Sequence, residues 1–336
     1  MKNNFLKYFV SFLLILFIFI VYLSVVGIET NKFNDQIKNR ISQINKSIDI
    51  DLKKIKLTLD PLKFKIYAKT FDTTVNFSKK SLELESAKIQ ISLNSLIKNK
   101  ISSSNIEIKT KSIFLSDLIK FIRISNNKPE LFILEKIIKK GQVILNLNVN
   151  LDENSKIKND YKIEGLIKNA SINFLNKANF NNINFNFNFQ KDNYLLNKIN
   201  FRTEKVDFIS KKLNIKKKKN VFLIDTLVSN DQSSLNPNIL KLLNLRFKNI
   251  ILNDAKFKTN NKFSLEIDKK FKVKNIILNS DIEITKLKYN KLESIDNYFS
   301  DIDNLILLNN HKLNLKYKNN NLSINGEGEI QLNKNE

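Results

Sequence analysis

The feature that most limits what this chain can become is a period of two. Residues 143–151 read VILNLNVNL and residues 183–189 read INFNFNF, with an apolar side chain at every second position and, apart from Ile144, asparagine between. Successive side chains of a strand point to opposite sheet faces, so each segment has one oily and one wet side. A helix repeats every 3.6 residues and cannot present that pattern on one face. Val143, Leu145, Leu147 and Val149 therefore share a face, as do Ile183, Phe185, Phe187 and Phe189. Phe180 is out of phase with its neighbours, which places a turn or bulge at Asn181-Asn182.

The alternation recurs along most of the chain. Ile55, Leu57 and Leu59 lead into an Asp60-Pro61 turn, then come Phe64, Ile66 and Ala68, and then a short strand at Val75 and Phe77. Ile89, Ile91 and Leu93 form a strand, and so do Ile106 and Ile108. Later strands centre on Ile199-Phe201, Phe263-Ile267, Phe271-Val273, Ile282-Ile284, Leu313-Tyr317 and Leu322-Ile324, and Gly326 and Gly328 predict a bend in the last. In all, roughly 18 to 20 strands are joined by short polar turns, without the rhythm of a parallel βαβ sheet and without an exact repeat.

Helical spacing is confined to a few places. Residues 9–28, FVSFLLILFIFIVYLSVVGI, carry no charge and are long enough to cross the ~30 Å hydrocarbon core as a helix. The run exceeds a signal-peptide core, and no small-residue cleavage site precedes Glu29, so it reads as an uncleaved anchor. Lys2 and Lys7 on its N-terminal side leave Met1 in the cytoplasm and send the rest across. Over residues 31–48, Phe33, Ile37, Ile41, Ile44 and Ile48 form one apolar stripe, suited to a protein neighbour or to the membrane surface. Ser116 caps a predicted helix over 117–124, Pro129 starts one continuing through 131–140, and Asn236-Pro237 starts another through Leu243. Residues 292–308 also have helical spacing. These readings divide the chain into an anchor at 1–28, a mixed segment at 29–125 and a continuing β region at 126–336.

The residues leave two architectures open. In a sandwich or barrel the oily faces meet, whereas an open, curled sheet leaves a concave oily face for something else to cover. The scarcity of long helices able to cover such a face brings the second into view.

Two stretches carry a family resemblance. Residues 29–66, ETNKFNDQIKNRISQINKSIDIDLKKIKLTLDPLKFKI, place an amphipathic helix before a strand pair broken by a proline turn. Residues 88–119 follow with a strand, a Ser-Leu-x-x-Leu-Ile segment at 92–97 and a second strand. Behind a transmembrane anchor, this order resembles the AsmA-like family of bacterial envelope proteins, and residues 140–174 are similar to its repeated strand units. The resemblance implies a mainly β fold, in which the anchor precedes a long, curled antiparallel sheet with an open apolar groove and a few short helices. It further implies a single-pass inner-membrane protein with its bulk in the periplasm, conducting phospholipid between the inner and outer membranes. Eighteen strands ~4.8 Å apart would make a trough of about 85 Å, short enough to need partners or self-association for a complete bridge. The lining would include Ile89, Ile91, Ile106, Ile108, Val143, Leu145, Leu147, Val149, Ile183, Phe185, Phe187 and Phe189. Filling the core of a closed sandwich is the alternative role for each. The alternative function is a non-enzymatic envelope scaffold, or an assembly factor for outer-membrane proteins, that binds a periplasmic or outer-membrane partner through its sheet edges.

Other chemistries find little footing. The chain has no Cys, which excludes disulfides, thiolate metal sites and Cys nucleophiles. His311 is the only histidine and reads as a solvent-facing residue at a strand start. The carboxylate pairs Glu83 with Glu85, Asp301 with Asp303, and Glu327 with Glu329 lack further ligands, and no nucleotide-binding or hydrolase motif is present. No catalytic residue, metal or cofactor is therefore assigned. The net charge of +24 comes from lysines spread along a Lys-, Asn- and Ile-rich chain. Their sharpest cluster, residues 216–219, reads as a solvated turn. Nucleic-acid binding would need stacking aromatics beside basic residues, whereas here aromatics alternate with asparagine.

Overall fold

A computed structural model describes residues 2–44, 48–77, 80–93, 105–125, 129–152, 158–174, 178–242, 250–252, 254–268, 272–290 and 305–332. The protein is mainly β, built of antiparallel strands in open sheet, with a few short helices and one apolar N-terminal helix. Its two compact units are Met1–Leu131 with Gln142–Gly165, and Phe132–Gly141 with Leu166–Glu336.

The first unit opens with helix α1, Lys2–Val25. Its Phe5–Val25 segment has a mean hydropathy of 2.7 and is wholly unburied, long and apolar enough to cross a membrane. The helix stops short of the expected Ile28. The N–H groups of Val26 and Gly27 both donate to the Tyr22 carbonyl, and Gly27 adopts a left-handed φ of 74°. A Cβ there would lie 2.4 Å from the Leu57 carbonyl oxygen, so the close approach requires glycine. Ile28 belongs instead to β1, Ile28–Thr30, opposite Leu57 of β3, Ile55–Asp60.

Helix α2 covers Asn34–Ile44, and Ile48 of the predicted stripe lies in β2, Ile48–Asp51. Strand β4, Lys65–Phe77, joins what the alternation reads as two strands, and Asp72 in its middle has a φ of 48°. β3 pairs with β4, then β4 with β5 (Lys80–Ser92), β5 with β6 (Asn105–Thr110), and β6 with the 142–150 part of β8. β7 (Ile113–Phe114) pairs with the start of that part, and α3 (Leu115–Ser125) follows. Helix α4 is Pro129–Ile137, so residues 138–140 of the predicted helix begin β8, Ile138–Asn150.

The second unit is a meander. β9 (Lys162–Phe174), β10 (Ala178–Gln190), β11 (Asn193–Thr203), β12 (Val206–Lys218) and β13 (Val221–Ser234) come first. Helix α5 (Pro237–Leu242) and the short β14 (Ile250–Ile251) precede β15 (Lys256–Asp268), β16 (Val273–Asn290), β17 (Leu305–Lys318) and β18 (Asn321–Gln331). Each long strand pairs antiparallel with the next, β13 passing directly to β15. Residues 305–308 of the predicted 292–308 helix, Leu305, Ile306, Leu307 and Leu308, lie instead in β17, while residues 292–304, with Asp301 and Asp303, fall outside the described residues. So do Phe271 and the 94–97 part of the Ser-Leu-x-x-Leu-Ile segment.

One hairpin is tied by charge. Arg202 and Asp207 lie opposite each other across the β11–β12 turn, joined by two hydrogen bonds of 2.6 Å. Those bonds hold the Asp207 carboxyl below the usual carboxylate range. A carboxyl lowered on folding stabilises above its unfolded value and loses that contribution as pH falls through its folded value. Arg202→Gln is expected to return the Asp207 midpoint, followed by NMR, to the ordinary range.

Candidate functional site

Residues directly opposite each other on antiparallel strands lie on the same face, so the pairing register shows how side chains line up across a sheet. In the second unit one line runs through Phe187, Leu196, Leu213, Thr226, Phe263, Leu278, Tyr317 and Leu322, one residue from each of eight strands. At ~4.8 Å per strand it is about 34 Å long. A parallel line carries Phe189, Tyr194, Ile215, Ile224 and Leu265. The opposite face is polar. One of its lines is Lys258, Glu283, Lys312 and Glu327, alternating in sign from strand to strand. Most of the apolar line is only half-buried, and Leu322 at the β18 end is 58 % exposed.

The first unit repeats the arrangement. Ile28, Leu57, Ala68, Ile89, Ile106 and Val149 make one line, and Thr30, Ile55, Thr70, Ala87, Ile108 and Leu147 make the next. Behind them, the Asn105 amide donates to the side-chain oxygens of Asn148 and Asn150 at 2.6 and 2.8 Å.

Small polar residues are buried where the strands are irregular. In the first unit the Thr70 and Thr73 hydroxyls meet at 2.7 Å around Asp72, and Leu145 N–H donates to Thr110 Oγ1 at 3.0 Å. In the second, register shifts fall at Ile209/Leu213 and Asn230/Ser233. There Thr226 donates to the Lys212 carbonyl at 3.2 Å, with the Ser210 hydroxyl 3.0 Å away. Asn230, 1 % exposed, donates to the carbonyls of Asp231 and Phe257 and accepts from Thr259 at 2.6 Å. Asn261 extends the chain, donating to Thr259 at 2.7 Å and accepting from Ser280. Bulges bend strands and free backbone groups from the ladder; short polar side chains fit the inside of the bend and satisfy those groups. Each unit thus carries a polar crease with apolar walls on either side.

A short helix covers one end of each face. In the first unit Phe121 of α3 meets Phe77 edge-on at 4.8 Å, beside buried Leu82, Leu84, Leu115 and Ile119. In the second, Ile239 of α5 packs with Val206 and Phe257. The Asn236 side chain caps α5, accepting from the N–H groups of Asn238 and Ile239 at 3.0 and 3.1 Å. Among the described residues, this is the cover that α5 supplies; the wall toward Phe189 and Leu322 extends beyond it.

The sequence-predicted residues fall on these faces. Ile89, Ile91, Ile106, Ile108, Leu145, Leu147, Phe185 and Phe189 are half-buried, whereas Val143, Val149, Ile183 and Phe187 are buried. Phe185, Phe187 and Phe189 contact in series, the first pair edge-on with centroids 6.4 Å apart and the second tilted at 5.0 Å. The expected irregularity at Asn181-Asn182 is a bulge within β10, with Asn182 at a φ of 51°. His311 differs from expectation. It lies within β17, opposite Ile284, half-buried, with its ring over Gly328. Gly326 likewise makes room for Leu313, so these glycines accommodate side chains of the neighbouring strand. Sequence reasoning missed Leu196, Leu213, Ile215 and Ile224 as wall residues and the whole polar crease. The odd-even spacing of Leu213 with Ile215 and of Phe222 with Ile224 was the available signal.

No family model, no curated protein and no solved structure matches this chain.

Proposed function

We propose that this chain is a membrane-anchored, AsmA-like envelope protein that binds phospholipid on its apolar sheet faces and conducts it between the inner and outer membranes. In this reading α1 is a single-pass inner-membrane anchor with a cytoplasmic N-terminus, and the sheet units lie in the periplasm. The observation that carries the proposal is the eight-strand line from Phe187 to Leu322 on an open sheet, apolar except at Thr226 and half-buried along most of its length. A stretch of this length accepts an acyl chain at many positions. Burying apolar surface returns about 25 cal/mol per Å² at each, so sliding between them costs little. Headgroups stay in water, and no buried polar group is needed to recognise them.

Lipid extraction and mass spectrometry on the purified full chain test this. Phospholipid is expected to co-purify with the wild type and to fall at least tenfold in a Leu213→Asp, Phe263→Asp double variant. Both positions are half-buried, so the carboxylates can reach water and the melting temperature should shift little, while the wall becomes hostile to hydrocarbon. A wild type free of lipid, or a variant that keeps it, contradicts the proposal.

A second reading, an envelope scaffold that carries no lipid, is favoured by β18. Among the described residues this strand pairs only with β17, and its other edge offers unpaired backbone groups to a partner's strand. A lipid-free, stably folded wild type that captures an outer-membrane protein would select it.

A further inference from the structure

An antiparallel meander puts alternate turns at opposite ends of its sheet, and the two ends of the second unit differ. The β11–β12 turn holds Glu204 beside Lys205, next to the mutually paired Arg202 and Asp207, and the β13–β15 connection carries α5 with its Ile239 cover. Among the described residues, the β11–β12 turn is balanced in charge and α5 caps this end. At the other end lie the β10–β11, β12–β13, β15–β16 and β17–β18 connections. Lys216, Lys217 and Lys218 end β12, so of the lysine run expected in a turn only Lys219 lies in the second of these; Lys191 and Lys272 sit in the adjoining connections and Lys318 ends β17, all exposed. Lys217 N–H donates to the Asp192 carbonyl at 2.9 Å, fixing the first two turns side by side. The acids here are few, and Asp268 already pairs with Lys274 at 3.1 Å. None of the four consecutive lysines forms an ion pair with a described residue. The apolar wall runs up to this rim through Phe189, Tyr194, Ile215 and Phe222, and reaches the half-exposed Val273.

We infer that the lysine rim selects the headgroup of the lipid held on this wall, favouring phospholipids with a net negative charge. The inference rests on the proposed lipid-binding role and adds a substrate preference to it. Among the described residues, the opposite end of the same sheet has no run of consecutive lysines, so chain-wide lysine content alone does not produce the pattern. An acyl chain on the wall places its phosphate at the turns, where Lys217 shares the wall face and Lys191, Lys219 and Lys272 lie in the adjoining connections, while Lys216, Lys218 and Lys318 alternate to the polar face. Attraction of this kind is shared among exposed cations and weakens with salt.

The test titrates the full chain, in neutral detergent, with tail-labelled phosphatidylglycerol and phosphatidylcholine of identical acyl chains. At low salt the wild type is expected to prefer phosphatidylglycerol about tenfold, the preference of one or two lysines at an anionic surface. In Lys217→Gln, Lys218→Gln, Lys219→Gln the preference should fall to about twofold. A control with the same charge change on the polar face and at the far end, Lys256→Gln, Lys258→Gln, Lys262→Gln, should keep it. Equal affinities in the wild type, a preference that survives the rim variant, or one lost equally in the control would each overturn the inference while leaving lipid binding intact. Inorganic phosphate bound by the lipid-free chain and lost in the rim variant would reassign the rim to free anions. Binding of neither lipid would remove the lipid-binding role itself, and this inference with it.

Discussion

Replacing Phe77 with alanine is expected to cost the first unit about 3–5 kcal/mol, read as a lower denaturant midpoint with an unchanged slope. The ring is 2 % exposed and ends β4, where it sits opposite Ile48 and edge-on to Phe121. Leu82, Leu84, Leu115 and Ile119 are buried as well, so removing the ring empties the point where α3 holds the sheet. A cavity sealed by helix on one side and strands on the other has little freedom to collapse, which puts the cost toward the upper end for a large-to-small change. Phe121→Ala removes the other half of the same pair. The double variant should cost clearly less than the sum of the singles, because the two rings share one contact. Phe114, 60 % exposed and adjacent in sequence to α3, is the control: its truncation should move the midpoint little.

The strands were legible because alternation is a local signal. Val143 to Val149 and Ile183 to Phe189 each fix their own face without knowledge of a partner, and the register then sets those faces into lines. Less legible was where one strand ended and another began. The phase break between Ala68 and Val75 divides one strand into two in the alternation, yet Asp72 in a left-handed conformation lets β4 run on to Phe77. Strands β12 and β13 were hidden by a different effect. Charged and short polar residues such as Lys211, Lys212, Ser229 and Asn230 interrupt their alternation where the register shifts. The crease was invisible for the same reason, since a Ser, Thr or Asn that satisfies a bulge reads along the chain as a wet-face residue. Helix limits were blurred where apolar residues continue across a boundary, as at Val25 to Ile28 and Ile137 to Ile138. His311 was misplaced because β17 extends six residues before it to Leu305.

Asn230→Asp isolates the crease, because it exchanges one isosteric group for another. In the wild type both amide hydrogens are spent on backbone carbonyls, of Asp231 at 2.7 Å and Phe257 at 3.3 Å, and the oxygen accepts from Thr259. A carboxylate in that place aims a negative oxygen at two carbonyl oxygens, in a site 1 % exposed. At pH 7 the penalty is expected to be about 3 kcal/mol or more, the cost of an unpaired buried charge. Protonation supplies one donor and removes the charge, so the folded state holds its proton more tightly than the unfolded chain and the carboxyl's folded pKa rises. For a group raised in this sense the folded state binds more protons, and stability falls as pH climbs from the unfolded value through the folded one. The deficit against wild type should therefore be small near pH 4 and large at pH 7, measured by urea unfolding at both. That is the reverse of the behaviour expected at Asp207, whose partner favours the charged form. Asn230→Ala separates the two contributions, since it leaves the carbonyls and Thr259 unpartnered without adding charge, and its deficit should not change with pH. An aspartate variant whose deficit is equally pH-independent would mean that water reaches the bend, and that the walls on either side meet across a wet seam.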